Sequence, residues 1–197
     1  MSDLNTTKHY IKIPKAFRSS DHDKPFDHCM VCNKFLLEDG TPYMIEKAMR
    51  QHLEMKVKEV IFEYALCVDC AIMLNSSLSE ESKQRISDYF EKHGNVAARR
   101  EKLLQRKTLR VEPWINRCLI TDKPISTCAE YQLMAQCDGT HLLFTYMPFA
   151  LSMEALNEMT NLLSEKSLGE IDDFLGKYFS GPPEVAALLR KRSAILV

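Results

Sequence analysis

The sequence predicts an α+β fold organised around a metal ion, on three observations. Two Cys-x-x-Cys pairs, Cys29-Met30-Val31-Cys32 and Cys67-Val68-Asp69-Cys70, lie 34 residues apart and supply four thiolates. β-forming runs, Tyr43-Met44-Ile45 and Val60-Ile61-Phe62-Glu63-Tyr64-Ala65-Leu66, stand between the pairs, and capped helical patterns follow them. The hydrophobic fraction of 45% is enough for a core without disulfides, and the odd count of seven cysteines suits a reducing compartment.

Each Cys-x-x-Cys is a tight turn that brings two sulfurs to one ion, so two turns fill a tetrahedral shell. A filled shell has no open position for water or substrate, which predicts one structural Zn2+ held by Cys29, Cys32, Cys67 and Cys70. Binding would then contribute directly to folding. Separate redox pairs and iron in the same four sulfurs are the alternatives.

The elements follow in order. Tyr10, Ile11 and Ile13 alternate with lysines as a short strand or extended arm, and Asp21 to Asp27, with Pro25, is a loop into the first cysteine turn. Glu38-Asp39-Gly40-Thr41-Pro42, a turn signal, predicts a hairpin with a longer loop that pairs Phe35-Leu36-Leu37 with Tyr43-Met44-Ile45. Glu46 to Glu59 is expected to be an amphipathic helical insertion through Ala48, Met49, Leu53, Met55 and Val57. A helix carrying Ala71-Ile72-Met73-Leu74 starts at the second cysteine pair. Ser77 with Glu80 reads as a capping box for a helix bearing Ile86, Tyr89 and Phe90, stopped by Gly94. A third helix runs from Val96 to about Leu109, and Pro113-Trp114 breaks the pattern.

A cysteine turn, a hairpin and a helix carrying the remaining two ligands resembles the treble-clef zinc finger, over roughly residues 26 to 78; the zinc ribbon is the second resemblance. The expected organisation is a four-cysteine module at 1–80, a helical connector at 81–112, and a C-terminal hairpin with helices at 113–197. That last part reads as a degenerate, metal-free copy of the first. Cys118-Leu119-Ile120-Thr121-Asp122-Lys123 matches Cys29 to Lys34, and Tyr146 to Met153 laid on Tyr64 to Ala71 turns Cys67 into Phe149 and Cys70 into Ser152. Glu130 to Ala135 and His141 to Tyr146 form a hairpin turned by Asp138-Gly139, and Ser152 caps the next helix. Chance similarity of short elements is the competing explanation. A rival second metal site would use Cys118, Cys128, Cys137 and His141. Ser167 with Glu170 caps a further helix, Gly181-Pro182-Pro183 ends it, and Glu184 to Arg192 begins another.

Charge sets limits on partners. With 26 basic and 27 acidic residues there is no global attraction to nucleic acid or membrane. One local run does stand out: Arg99, Arg100, Lys102, Arg106, Lys107 and Arg110 put six positive charges within twelve residues, a candidate nucleic-acid contact. Asp21-His22-Asp23 with His28 is a small metal- or proton-binding candidate in a loop. No nucleophile–base pair, phosphate loop or His-Glu-x-x-His helix occurs, and Glu80-Glu81 and Asp172-Asp173 fall near helix starts, where negative charge is favourable in any case. A polar N-terminus and the lack of a long apolar run predict a cytoplasmic protein without a membrane span. The expected role is a zinc-stabilised surface that docks another macromolecule, in the first place a protein; the alternative is a nucleic-acid-binding regulator using the basic helix.

Overall fold

The computed structural model describes residues 9–106 and 109–178. Among these, six strands form one sheet: β1 Tyr10–Lys12, β2 Pro42–His52, β3 Val57–Cys67, β4 Glu130–Asp138, β5 His141–Leu143 and β6 Phe149–Ser152. Every pair is antiparallel, in the order β1-β5-β4-β2-β3. β5 and β6 share one edge of β4, opposite Gln136–Asp138 and Tyr131–Met134 respectively. The sheet therefore runs without a break from β3, which ends at Cys67, into the C-terminal half, through the β2–β4 pairing.

Among the described residues six helices accompany it: α1 Val68–Ser77, α2 Glu80–His93, α3 Val96–Leu104, α4 Glu112–Ile115, α5 Met153–Thr160 and α6 Glu165–Tyr178. The core gathers Trp114, Tyr43, Phe17, Phe144, Leu36 and Ile45, all below 2% exposed. Trp114 and Phe144 meet with ring centroids 5.0 Å apart, in the offset range aromatic pairs prefer.

Several sequence expectations change here. Glu46 to Glu59 is not helical: it is most of the β2–β3 hairpin, with Leu53 to Lys56 as its turn. Helix-forming residues are overridden because β2 is paired on both sides, to β3 and to β4, and buried on both faces. The strand alternation is hidden by polar residues inside. Lys47, with its side chain 5% exposed, meets Glu63 Oε2 at 2.8 Å, while Glu46 is fully buried. The predicted 35–37/43–45 hairpin is also absent. Phe35 instead bridges back to His28 across the cysteine turn. Ser79, not Ser77, caps α2, accepting from Ser82 N at 3.2 Å. Ser164 accepts from Ser167 N at the start of α6, and α3 stops at Leu104. Gly181-Pro182-Pro183 and the 184–192 helix lie outside the described residues.

The N-terminal segment is fixed to the sheet by a polar clasp. Lys47 Nζ donates to Arg18 O at 2.5 Å, and Ser20 N donates to Glu63 Oε1 at 2.6 Å. Phe17, fully buried, anchors the same stretch.

Candidate metal centre

The site starts as a short loop. Cys29 N donates to Lys34 O and Leu36 N to Asp27 O, both at 2.9 Å, and Asn33 N closes the turn onto Cys29 O. Asn33 takes a left-handed conformation, φ 59°, which asparagine tolerates better than most residues. Met30 N donates to Ala65 O at 3.0 Å, docking the loop against the end of β3. Cys67 is both the last residue of β3 and the N-cap of α1, and Cys70 sits in the first turn of that helix. The strand-to-helix junction thus delivers two sulfurs to the loop that carries the other two. Lys34 and Asp69, 3.5 Å apart, close the outside.

The four Sγ atoms all lie within 4.8 Å of one another, and Cys32 and Cys67 are 3.7 Å apart. A tetrahedron with metal–sulfur bonds of about 2.3 Å has sulfur–sulfur edges of about 3.8 Å, so the cage fits one ion. Three of the cysteines are buried and Cys32 is exposed.

The protonation pattern fits a cation as well. Burial raises the Cys29 thiol, but N–H groups of Cys32, Cys67 and Val31 outweigh it and bring it down to about 7. Burial, with the neighbouring thiols, pushes Cys70 well up; burial also raises Cys67. Four crowded sulfurs do not all ionise alone, and a divalent cation supplies the compensating charge. The four cysteines can therefore hold one metal ion.

Among the described residues this is the single group of three or more His, Cys, Asp or Glu side chains close enough for an ion. Cys118, Cys128, Cys137 and His141 are not brought together. Cys118 Sγ accepts from Ser152 N at 3.3 Å and from Thr121 N at 3.5 Å. Cys128 Sγ faces Pro124 O, Cys137 is pushed up to about 12 by burial, and His141 packs edge-on to Tyr10. His28 pairs with Asp27 at 3.0 Å, while Asp23 faces Lys15 and Arg18.

The basic run is divided. Arg99 lies 5.2 Å over the Trp114 ring and donates to Trp114 O, and burial lowers its guanidinium to about 10. Arg100 is half-buried, and Lys102 and Arg106 are exposed. Arg110 pairs with Glu112 at 3.2 Å beyond the helix, and Lys107 lies outside the described residues. No described helix is long and apolar enough to cross a membrane. Comparison with protein-family models, with curated proteins and with solved structures gives no match.

Proposed function

We propose that the chain is a zinc-binding structural and interaction protein: one Zn2+ at Cys29, Cys32, Cys67 and Cys70 orders a treble-clef-type module that presents a macromolecule-docking surface. The observation that carries this reading is the four-sulfur cage, with each sulfur within 4.8 Å of the others. Soft thiolates favour zinc, and four protein ligands complete its shell, so the metal's work is folding rather than chemistry. The parts it joins carry exposed apolar side chains. Phe35 on the loop is 44% exposed, and Ile72 and Met73 on α1 are 58% and 54% exposed. Such residues on metal-ordered elements suit a protein partner. Seven unpaired cysteines suit a reducing cytoplasm. The C-terminal half, on this reading, is a second, metal-free module of the same plan.

The test is zinc per chain in the protein purified without added metal, beside Cys67→Ser. One atom per chain, lost in the variant together with the folded N-terminal half, is expected. A variant with full metal and an unchanged melting temperature would sink the assignment.

A second reading has one supporting observation. A groove of about 460 Å³ between α3 and the 116–122 loop is lined by Arg99, Lys102, Arg106 and Arg117 against Asp122. That charge suits phosphates. Salt-dependent binding to generic RNA or DNA, abolished by Lys102→Gln with Arg106→Gln, would favour it over protein docking.

A further inference from the structure

The two halves share more than a fold class. Around Cys118, each bond of the first cysteine loop has a counterpart. Cys118 N donates to Lys123 O as Cys29 N does to Lys34 O, at 2.8 and 2.9 Å. Leu119 N reaches Ala150 O as Met30 N reaches Ala65 O, at 2.8 and 3.0 Å. Asp122 repeats the left-handed turn of Asn33, with φ 54° against 59°. Ser152 N donates to Cys118 Sγ at 3.3 Å, and Cys67 N to Cys29 Sγ at 3.4 Å. Thr121 Oγ1 and Ser152 Oγ are 3.5 Å apart, where Cys32 and Cys67 sulfurs are 3.7 Å apart. Ser152 caps α5 as Cys67 caps α1.

The correspondence continues into the following helices at a constant offset of 85 residues from Cys67/Ser152 onward. α2 and α6 begin at Glu80 and Glu165, and both have 14 residues. Between Leu78–His93 and Leu163–Tyr178, seven of sixteen positions are identical, namely Leu, Ser, Glu, Ser, Ile, Asp and Lys in that order. The shared Leu, second Ser and Ile are buried in both copies.

The halves also meet as a symmetric pair. Tyr43 stands opposite Cys67 in β3, and Tyr131 opposite Ser152 in β6, so the two tyrosines are equivalent. In the β2–β4 ladder Tyr43 faces Cys137 and Tyr131 faces Met49, while Glu46 faces its own counterpart, Met134. That is the self-complementary pattern of a twofold axis passing through Glu46 and Met134. The serines obey the same operation. Ser79 N donates to Ser167 Oγ and Ser164 N to Ser82 Oγ, each at 2.9 Å, with Ser79 Oγ and Ser164 Oγ meeting between them.

We infer that this chain is a fused pair of copies of one metal-binding unit, and that Cys118, Thr121, Ser152 and Ala155 are its second metal site, retained as geometry after three of four ligands were replaced. Ala155 is the equivalent of Cys70, three residues into the helix. Hydroxyls and a backbone N–H now join the elements that a metal would have joined. The hairpin between them has shortened, leaving 30 residues between Thr121 and Ser152 where 34 separate Cys32 from Cys67. Cys118 remains because two N–H groups bind its sulfur.

This inference rests on the first site being a metal centre, and the test separates the two. Zinc per chain is counted side by side in the wild type and in full-length Thr121→Cys/Ser152→Cys/Ala155→Cys, both produced with zinc and kept reduced. One more atom per chain is expected in the variant. A wild type without zinc refutes the four-cysteine centre and the inference that rests on it, whereas a wild type holding its zinc leaves the increment to decide the inference alone. A folded triple variant with no increment overturns the inference. If the triple variant does not fold, Thr121→Cys/Ser152→Cys replaces it, with Ala155 kept. With Cys118 this pair offers three thiolates, and a Co2+ titration should show thiolate-to-cobalt absorption for one equivalent beyond the wild type. Its absence in that variant overturns the inference too.

Discussion

Tyr64 donates a 2.5 Å hydrogen bond to Glu46 across the β2–β3 ladder, inside the core. Glu46 is fully buried, its second oxygen meets no hydrogen-bond partner among the described residues, and burial pushes its carboxyl up to about 8 against the pull of the Tyr64 hydroxyl. At neutral pH the group is folded protonated and unfolded ionised. The native state then holds one proton more than the unfolded state, and stability falls as pH rises from the unfolded value near 4.5 towards 8.

The expected outcome is a Glu46→Gln variant with a higher melting temperature than the wild type at pH 7.5 and little advantage at pH 4.5. The gap between the two should widen by about 1.4 kcal/mol per pH unit at most within that window. Thermal melts across the range check it. Parallel curves for the two proteins would remove Glu46 as the titrating group.

The clasp formed by Lys47 and Glu63 supports a second expectation. Their side chains are 5% and 11% exposed, and both hold the 18–20 segment through hydrogen bonds. Lys47→Met leaves a buried carboxylate without its cation, which costs about 3 kcal/mol. The loss is local first, so a protease should cut near Arg18 and Lys24 in the variant well before the intact protein. Replacing Glu63 by Leu as well should restore much of the resistance, since an apolar pair needs no compensation. Equal cutting rates in all three proteins would show that the clasp does not hold the segment.

The cysteine cage was legible in the sequence because metal ligation fixes residue type and spacing within each turn. The β2 strand was not, since Glu46, Lys47 and Gln51 put polar atoms at buried positions and their partners are remote in the chain. Gln51 Nε2, for example, donates to Ile125 O at 2.6 Å. In the repeat inferred above, the letters misalign for a related reason. Tyr64 and Tyr146 align by letter at an offset of 82, but Tyr64 is 6% exposed and Tyr146 64%; the matching hydrogen bonds run at an offset of 89 at Cys118 and of 85 at Ser152, because the second hairpin is four residues shorter. The duplicated Ser-Glu-x-Ser helix starts were in the sequence throughout. Their meaning appears only when both N-termini are seen in contact.

That contact makes a third expectation quantitative. In an ordinary capping box the third helical side chain returns to its own N-cap N–H; here Ser82 serves Ser164 N and Ser167 serves Ser79 N. Both serines are fully buried. Ser82→Ala and Ser167→Ala should each cost about 2 kcal/mol, the cost of a lost cap with a stranded donor. The double variant should cost less than the sum, because both act through the Ser79–Ser164 contact. Urea unfolding measures all three, with exposed Ser87→Ala as a control expected within about 0.5 kcal/mol of wild type. Strict additivity would mean that the two caps act independently.

Metal removal should divide the molecule unequally. The cage at Cys29, Cys32, Cys67 and Cys70 joins the 27–36 loop to the start of α1, whereas the matching junction at Cys118 and Ser152 is closed by hydrogen bonds alone. A strong chelator takes the ion from the first and leaves the second unchanged. Hydrogen exchange after chelation should accordingly speed up at 29–36 and 67–74, while 118–123 and 152–160 keep their protection. Cys118→Ser sets the complementary case: metal content stays at the wild-type level, and a stability loss of about 1 kcal/mol reflects the weakened hydrogen bonds to one sulfur. Uniform deprotection of both halves on chelation would show instead that the continuous β2–β4 sheet couples them into one cooperative unit, with the ion holding both.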